Sequence, residues 1–280
     1  MIGAIRSEIR KVFTTRLWWG MALGMSLLAA LIAMGFAALL GNAQATGGDN
    51  GGQGNPFARL TIGTAQLIYN AGIVQQMTLL FPLALGVMLI TGEYRHKTIS
   101  ATFLSTPNRW VVMVSKVAAV AVTGALYAVL HACASIAGAV PIIKFVKHQP
   151  TMLDEPQVWE SLGLGILVFI VWMLLGFGVG MLIRNQIAAV LIAVGVTFVV
   201  QIALTIFFQV KHWYGAMKWI PANLTQNMLI TSDPTAGQSV DEATKAQYFA
   251  HWWQAGLVLA LYAVVLAVLG AFLTTRRDVA

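Results

Sequence analysis

Residues 92–116 read GEYRHKTISATFLSTPNRWVVMVSK and lie between two long apolar runs of the chain. Residues 93–105 contain neither Pro nor Gly, and their large apolar side chains recur at helical spacing, at Ile99, Phe103 and Leu104. This pattern predicts a short amphipathic helix, and the Thr-Pro-Asn at 106–108 predicts its end. A helix that is too polar to cross a membrane but lies at its surface suits the docking of a soluble partner.

The composition is that of an integral membrane protein. Of the 280 residues, 58% are hydrophobic and only 10% are charged, and the mean hydropathy is +0.76; soluble domains carry about 25% charged residues. A hydrocarbon core about 30 Å thick needs about 20 apolar residues per helix. Six runs meet that length, at residues 18–40, 72–91, 110–140, 161–183, 186–208 and 254–273. We therefore predict an all-α polytopic membrane protein with six transmembrane helices in a single domain, residues 1–280.

The basic residues indicate which side of the membrane each end faces. With six crossings both termini lie on one side, and that side then holds eleven of the 17 Lys and Arg residues. Because loops rich in Lys and Arg stay in the cytoplasm, we expect both termini to be cytoplasmic in a multi-pass protein of a bacterial inner membrane. This topology accounts for the net charge of +7, which therefore gives no reason to expect a nucleic-acid partner.

The amino-terminal segment predicts a helix that lies on the membrane surface. Apolar residues recur at helical spacing from Ile2 to Leu17, with Arg6, Arg10 and Lys11 between them, so a basic side can meet anionic headgroups. An uncleaved signal anchor is the alternative. Cleavage is disfavoured because the apolar run is longer than the signal-peptide core of about 7–15 residues. We expect an interfacial helix at residues 2–17, and a further short helix at 61–70 that leads into the second run.

Two polar stripes run through the apolar segments. Their members recur every fourth residue and so share one side of a helix: Thr123, Tyr127, His131 and Ser135 in the third run, and Thr197, Gln201 and Thr205 in the fifth. Polar residues in hydrocarbon turn away from lipid, so the stripes either form hydrogen bonds between helices or line a substrate path. Gln201, near the middle of its run, is the stronger candidate for a path. His131 is expected to be a satisfied residue of the bundle, because no carboxylate within the membrane can pair with it.

Short sequence features also constrain how the helices pack. Gly176 and Gly180 form a G-x-x-x-G spacing, which predicts close approach to a neighbouring helix. Only Arg184 and Asn185 separate the fourth and fifth runs, so these two runs are expected to be antiparallel neighbours. Residues 218–229 predict short helices or a partly re-entrant segment at the outer end of the bundle.

The sequence contains no motif for nucleotide, metal or hydrolytic chemistry. It has no G-x-x-x-x-G-K-[ST], H-E-x-x-H or G-x-S-x-G segment, the motifs that would cradle phosphates, bind zinc or present a nucleophilic serine. No apolar run holds a carboxylate at its centre, which argues against an ion-coupled carrier. We therefore expect a chain that is not itself an enzyme, has no cofactor of its own and draws its energy from a partner.

Residues 92–116 also carry several short motifs in a fixed order. They are Gly92-Glu93-Tyr94-Arg95-His96-Lys97-Thr98-Ile99, then Leu104, Thr106-Pro107, Arg109-Trp110 and Lys116. This order resembles the G-E-x-R-x-x-T-[IL]…L-x-x-P-x-x-R…K segment of the ABC-2 type permease subunits of ABC exporters. Residues 7–18, 182–185 and 219–223 are similar to other elements of that family, so the resemblance extends over the whole chain. The sequence departs from the family pattern at Lys97, where a small residue is usual.

The resemblance implies a six-span subunit that dimerises with a second permease copy or a paralogue. It also implies two separate ATP-binding (P-loop) subunits, which would hold ATP and Mg²⁺. Residues 93–105 would be the cytoplasmic coupling helix, with contacts to the ATPase carried by Glu93, Tyr94, Arg95, Thr98 and Ile99. Spans one, two and five would surround the substrate path, which could include Thr197, Gln201 and Thr205.

The expected function is therefore the permease subunit of an ATP-driven exporter that works by alternating access. Its substrate would be an amphiphile, such as a drug, a peptide or a lipid-like molecule. Two alternatives stay open: a non-transporting membrane scaffold or sensor that binds a soluble protein through the same helix, and an ion-coupled carrier.

Overall fold

The computed structural model describes residues 2–41, 57, 60–96, 109–183, 185–229, 246 and 248–276, and these are arranged almost entirely as helices. We number the α-helices in chain order: α1 Ile2–Thr14, α2 Leu17–Ala38, α3 Ile62–Tyr69, α4 Ala71–Val74, α5 Leu80–Arg95, α6 Arg109–Pro141, α7 Pro156–Leu182, α8 Gln186–Gly195, α9 Gln201–Val210, α10 Tyr214–Met217, α11 Pro221–Leu229 and α12 Trp252–Arg276. Two π-helical segments, Ile142–Val146 and Val196–Val200, extend α6 and join α8 to α9.

Within the described residues, five helices are long and apolar enough to cross a membrane. They are Leu17–Ala38, Val111–Val146, Pro156–Leu182, Gln186–Val210 and Trp252–Gly270. They coincide with the first, third, fourth, fifth and sixth predicted runs, so an all-α membrane protein is confirmed at this level. Helix α7, which corresponds to the fourth predicted run, begins earlier than predicted because Pro156 occupies its first turn. The missing N–H and the fixed φ angle of proline favour helix initiation there.

The prediction of one continuous helix over residues 72–91 is wrong. The chain forms the single turn α4, then breaks, and resumes as α5 at Leu80. Gln76 in the break has a φ of 59°, which no helical residue adopts. Pro82, in the first turn of α5, has no N–H to donate and its ring crowds the carbonyl four residues earlier, which disfavours a continuous helix through this point. The 16 residues of α5 span about 24 Å at ~1.5 Å per residue, less than a hydrocarbon core of about 30 Å.

The predicted helix at residues 93–105 does not begin at Glu93 in the structure. Glu93, Tyr94 and Arg95 form the last turn of α5, and His96 is its C-cap. Gly92 is therefore inside a helix and not at a boundary: its carbonyl accepts a hydrogen bond from His96 N at 2.9 Å. Residues 97–108, and with them Thr98 and Ile99, lie outside the described residues.

Helix α7 is the centre of the bundle and packs against α5, α6 and α12. Glycines allow α7 to approach its neighbours closely. A β-carbon on Gly176 would overlap the carbonyl oxygen of Leu83 in α5, and one on Gly180 would meet Ile90 of α5. The close helix approach predicted from the G-x-x-x-G spacing is thus confirmed, with α5 as the neighbour. Gly178, on another side of α7, packs in the same way against Leu266 of α12.

The two ends of the bundle differ in construction. At one end, which we call the α1 end, helix α1 packs against the start of α6, and Arg95 meets Gln186 beside the α7–α8 hairpin. At the other, the α3 end, helix α3 packs against α2, α6 and α7. The short helix predicted at 61–70 is confirmed there, since Thr61 caps the first turn of α3 by accepting a hydrogen bond from Thr64 N.

The helix predicted at residues 2–17 is observed as α1 and ends at Thr14. Thr15 and Arg16 separate it from α2. The corner is held by Trp18, whose indole Nε1 donates to the Phe13 carbonyl at 3.0 Å and whose ring meets that of Phe13 edge-on at 4.8 Å. The short helices predicted within 218–229 are confirmed in α11, which packs on α12 and α7.

Candidate functional site

Four charged side chains from three helices meet at the α1 end of the bundle. Lys116 of α6 lies 3.0 Å from Glu8 Oε2 of α1 and forms a second ion pair with Glu93 Oε1 of α5. Lys11 of α1 lies 2.6 Å from Glu8 Oε1 and 3.6 Å from Glu93 Oε1. We call Glu8, Lys11, Glu93 and Lys116 the junction cluster. It joins the amino-terminal helix to the end of α5 and the start of α6.

The junction cluster is mostly withdrawn from solvent. The side chain of Lys116 is 4% exposed, that of Glu8 9% and that of Glu93 13%, whereas Lys11 is 48% exposed. Two ammonium groups face two carboxylates, so the cluster is neutral as a whole. A buried charge is tolerated when it is paired and hydrogen-bonded, and here each of the three buried groups has an opposite charge in contact.

The pKa of Lys11 reflects this environment. Partial burial acts to lower it, but the hydrogen bond to Glu8 and the attraction of both carboxylates outweigh burial, and the pKa is raised above its ordinary value. The charged form of Lys11 is therefore the form that the folded cluster favours.

The five predicted docking residues have different positions. Glu93 points into the junction cluster, whereas Arg95 is exposed and its Nη1 lies 3.4 Å from Gln186 Oε1 at the start of α8. Tyr94 is half-buried and packs against the main core of the bundle. Thr98 and Ile99 lie outside the described residues. Among the residues of this set that the structure describes, Arg95 is therefore the one whose charge faces outward.

Sequence reasoning missed the convergence of Glu8, Lys11 and Lys116 with Glu93. Lys116 and Glu8 are 108 positions apart, so no local periodicity connects them. Two signals were present, however: Lys116 is a lysine within an apolar run, and Glu8 is the acidic residue among the basic residues of the first helix. A buried lysine needs an acidic partner, and the nearest acid that follows an apolar run is Glu93.

A second feature lies inside the bundle, where α8 and α9 stand away from α7 and α12. A cavity of about 580 Å³ occupies the gap, with mostly apolar walls that include Leu83, Trp172, Ile192, Val196, Leu261 and Pro221. This volume is in the range of small-molecule sites, about 300–1,000 Å³. Thr197 and Gln201 line the cavity and Thr205 does not.

The polar groups of this stripe are hydrogen-bonded within the protein. Gln201 Oε1 accepts a hydrogen bond from Ala222 N at 2.7 Å, which links the start of α9 to the first turn of α11. Thr197 and Thr205 donate to backbone carbonyls one turn earlier in their own helix, at 2.9 and 2.8 Å. The π-helical segment Val196–Val200 lies directly before Gln201, and such segments are frequent at functional sites.

Within the described part of the chain, no group of three or more His, Cys, Asp or Glu residues is placed to hold a metal ion. The junction cluster offers ion pairing, and the cavity offers apolar contact.

Fold and sites together define a helical membrane protein with a charged junction at one end and an apolar cavity within. A family model described as protein of unknown function (DUF2705) matches residues 26–280. The chain belongs to that family. No curated protein matches the chain.

Proposed function

We propose that this protein is the membrane-spanning permease subunit of an ATP-driven exporter of the ABC-2 type. The observation that carries the proposal is the position of the Gly92–Arg95 motif, which resembles the start of the family's coupling element. Its Arg95 side chain faces outward at the end of α5, while Glu93, two residues earlier, is paired with residues of α1 and α6. A force applied at this end of α5 would therefore reach three helices through charged contacts.

In this proposal the α1 end faces the cytoplasm of a bacterial inner membrane. The excess of Lys and Arg in the segments assigned to that side supports this orientation. The chain would cross the membrane six times, with the second crossing made by α3, α4 and α5 together. This composite crossing agrees with the apolar character of residues 60–95 and with the burial of α3 and α4 between neighbouring helices.

The energy would come from two ATP-binding subunits, which would hold ATP and Mg²⁺ and dock on residues 93–105. Glu93 would act by fixing the orientation of the helix end, and Arg95 and Tyr94 would offer contacts, together with Thr98 and Ile99. A second permease copy or a paralogue would complete the membrane unit. The substrate would be an amphiphile, which the mostly apolar walls of the cavity beside Thr197 and Gln201 support.

The experiment is to co-express the chain with its ATP-binding subunits and to measure ATP hydrolysis after reconstitution in liposomes. Arg95→Glu reverses the outward charge and removes only an exposed contact, so folding should be retained. We expect ATP hydrolysis to fall to the rate of the ATP-binding subunits alone. The matched control is Lys144→Glu, a charge reversal at an exposed lysine of the α3 end, which should leave the rate unchanged.

Unchanged hydrolysis in a correctly inserted Arg95→Glu variant would contradict docking at this helix end. The same experiment addresses the non-transporting scaffold. A soluble partner that binds through Arg95 but contains no P-loop would support the scaffold and oppose the exporter.

A further inference from the structure

The break between α4 and α5 faces a set of buried polar atoms that no part of the described protein hydrogen bonds. They are Asn70 Oδ1 and Thr78 Oγ1 from the chain around the break, and His131 Nε2 and Ser135 Oγ from α6. All four residues are buried, with relative exposures of at most 1%. Within the described protein, His131 Nε2 has no hydrogen-bond partner, which the sequence did not predict.

These atoms are neighbours in space. Thr78 Oγ1 and His131 Nε2 each lie 2.9 Å from the position that a β-carbon on Gly72 would take, so the two atoms border the same glycine. They are therefore less than about 6 Å apart, a separation that a water hydrogen-bonded to both can span. Ser135 follows His131 by one turn on the same side of α6. Asn70 precedes Gly72 by two residues, and its Oδ1 faces α7 at Gly165. Thr78 and His131 thus meet at Gly72, with Asn70 two residues from that glycine and Ser135 one turn from His131.

The backbone at the break is held from several sides. Thr78 N donates to Gly72 O at 3.2 Å, which folds the break back on α4. Gln226 Nε2 of α11 donates to Val74 O at 3.4 Å, and Asn70 Nδ2 donates to Ser161 Oγ of α7 at 2.9 Å. These bonds fix the segment in place, so the unpartnered side-chain atoms do not result from a poorly packed loop.

The chemistry of the set selects the ligand. Hydroxyl, imidazole and amide groups each accept a hydrogen bond, and hydroxyls and a neutral imidazole can also donate one. The ring of His131 packs against that of Phe169 at 5.2 Å, and the four lining side chains include no carboxylate. An ion would therefore lack a counter-charge in a region where unpaired charges are costly. Buried water, by contrast, binds where two to four otherwise unsatisfied polar groups converge.

We propose that ordered water binds at this place and bridges Thr78 to His131, with Asn70 and Ser135 extending the site. The water then links the break to α6 through these side chains. The two parts of the second apolar run are joined through a hydrated contact with α6, not through a continuous helix. The inference does not depend on the proposed transport function.

The test is hydroxyl-radical footprinting of the purified full-length chain in lipid nanodiscs, because radicals formed from bound water oxidise the side chains next to it. Rates are normalised to the intrinsic reactivity of each side chain. We expect His131 to be oxidised well above Phe177, which is also buried but lies among apolar residues. Thr78→Val with Ser135→Ala keeps the side-chain volumes close while removing two hydroxyls, and should bring oxidation of His131 down to the level of Phe177.

The matched control is Thr123→Val, on the same stripe of α6. The Thr123 hydroxyl donates to its own helix, to Ala119 O at 2.8 Å, so its removal should leave the oxidation of His131 unchanged. Protection of His131 equal to that of Phe177 in the wild-type chain would overturn the proposal. So would oxidation of His131 that persists undiminished in the Thr78→Val, Ser135→Ala variant, because water would then reach the ring by another route.

Discussion

Replacement of Lys116 by Met tests the junction cluster most severely. The Lys116 side chain is 4% exposed and its ammonium group contacts Glu8 and Glu93. Methionine has a similar length, so it fills the space of the lysine stem but carries no charge. The substitution leaves two neighbouring carboxylates, one 9% and the other 13% exposed, with only the half-exposed Lys11 to oppose them.

The expected loss of stability follows from the burial of these groups. Removal of one partner of a buried ion pair costs about 3–5 kcal/mol, because the remaining charge stays buried without compensation. For a chain of this size each kcal/mol moves the unfolding midpoint by about 2–4 °C. We therefore expect the Lys116→Met midpoint to fall on the order of 10 °C, compared with a small change for Lys211→Met, an exposed lysine.

The assay is thermal unfolding of the purified variants in detergent, followed by circular dichroism. Adding Glu8→Gln and Glu93→Gln to Lys116→Met removes the uncompensated charges and should reverse most of the decrease in the unfolding midpoint. If Lys116→Met were no less stable than Lys211→Met, or if the added glutamines restored nothing, the cluster could not be a buried ion-pair network.

Three other predictions use the same unfolding assay. Gly176→Ala should destabilise the chain by about 1–3 kcal/mol through overpacking, because its β-carbon would overlap α5, whereas Gly163→Ala in the same helix meets nothing within 4 Å and should be tolerated; equal midpoints for the two would contradict the close approach. The stabilisation from Lys11, whose folded pKa is raised, should be fully present below about pH 10, where an unfolded lysine is protonated, and lost as pH rises through the folded pKa. The difference in unfolding midpoint between wild type and Lys11→Met should therefore shrink above the folded pKa, and a difference equal to that at pH 9 would refute this. Gln201→Leu removes the 2.7 Å hydrogen bond from Ala222 N and should lower the free energy of unfolding by about 1 kcal/mol. An unchanged unfolding midpoint would contradict this prediction.

Most of the helices could be predicted from the sequence because the bilayer fixes their length. Runs such as 18–40 and 186–208 contain few polar residues, and the structure has a helix at each of them. The break after α4 could not be read in this way. Its polar residues, Gln75, Gln76 and Thr78, sit within an otherwise apolar run, and the interruption is stabilised by contacts with Gly72 and with α11 that are made only in the folded bundle.

The site could be predicted only in part. The motif around Glu93 was recognisable, and its position at the end of a helix is observed. The inward direction of Glu93 was not, because it depends on Lys116 and Lys11, which come from separate helices. The cavity could not be predicted either, because it lies between α8 and α9 on one side and α7 and α12 on the other and follows no residue pattern.

We propose that this chain conducts substrate while an ATP-binding partner supplies the energy. The most direct measurement is ATP hydrolysis by the complex purified through a tag on this chain from its native membrane, compared with the same preparation of Arg95→Glu. We predict a P-loop subunit in equal amount and ATP hydrolysis in the wild-type preparation, and loss of both in the variant. A stable wild-type preparation that contains no P-loop subunit and hydrolyses no ATP would contradict the claim.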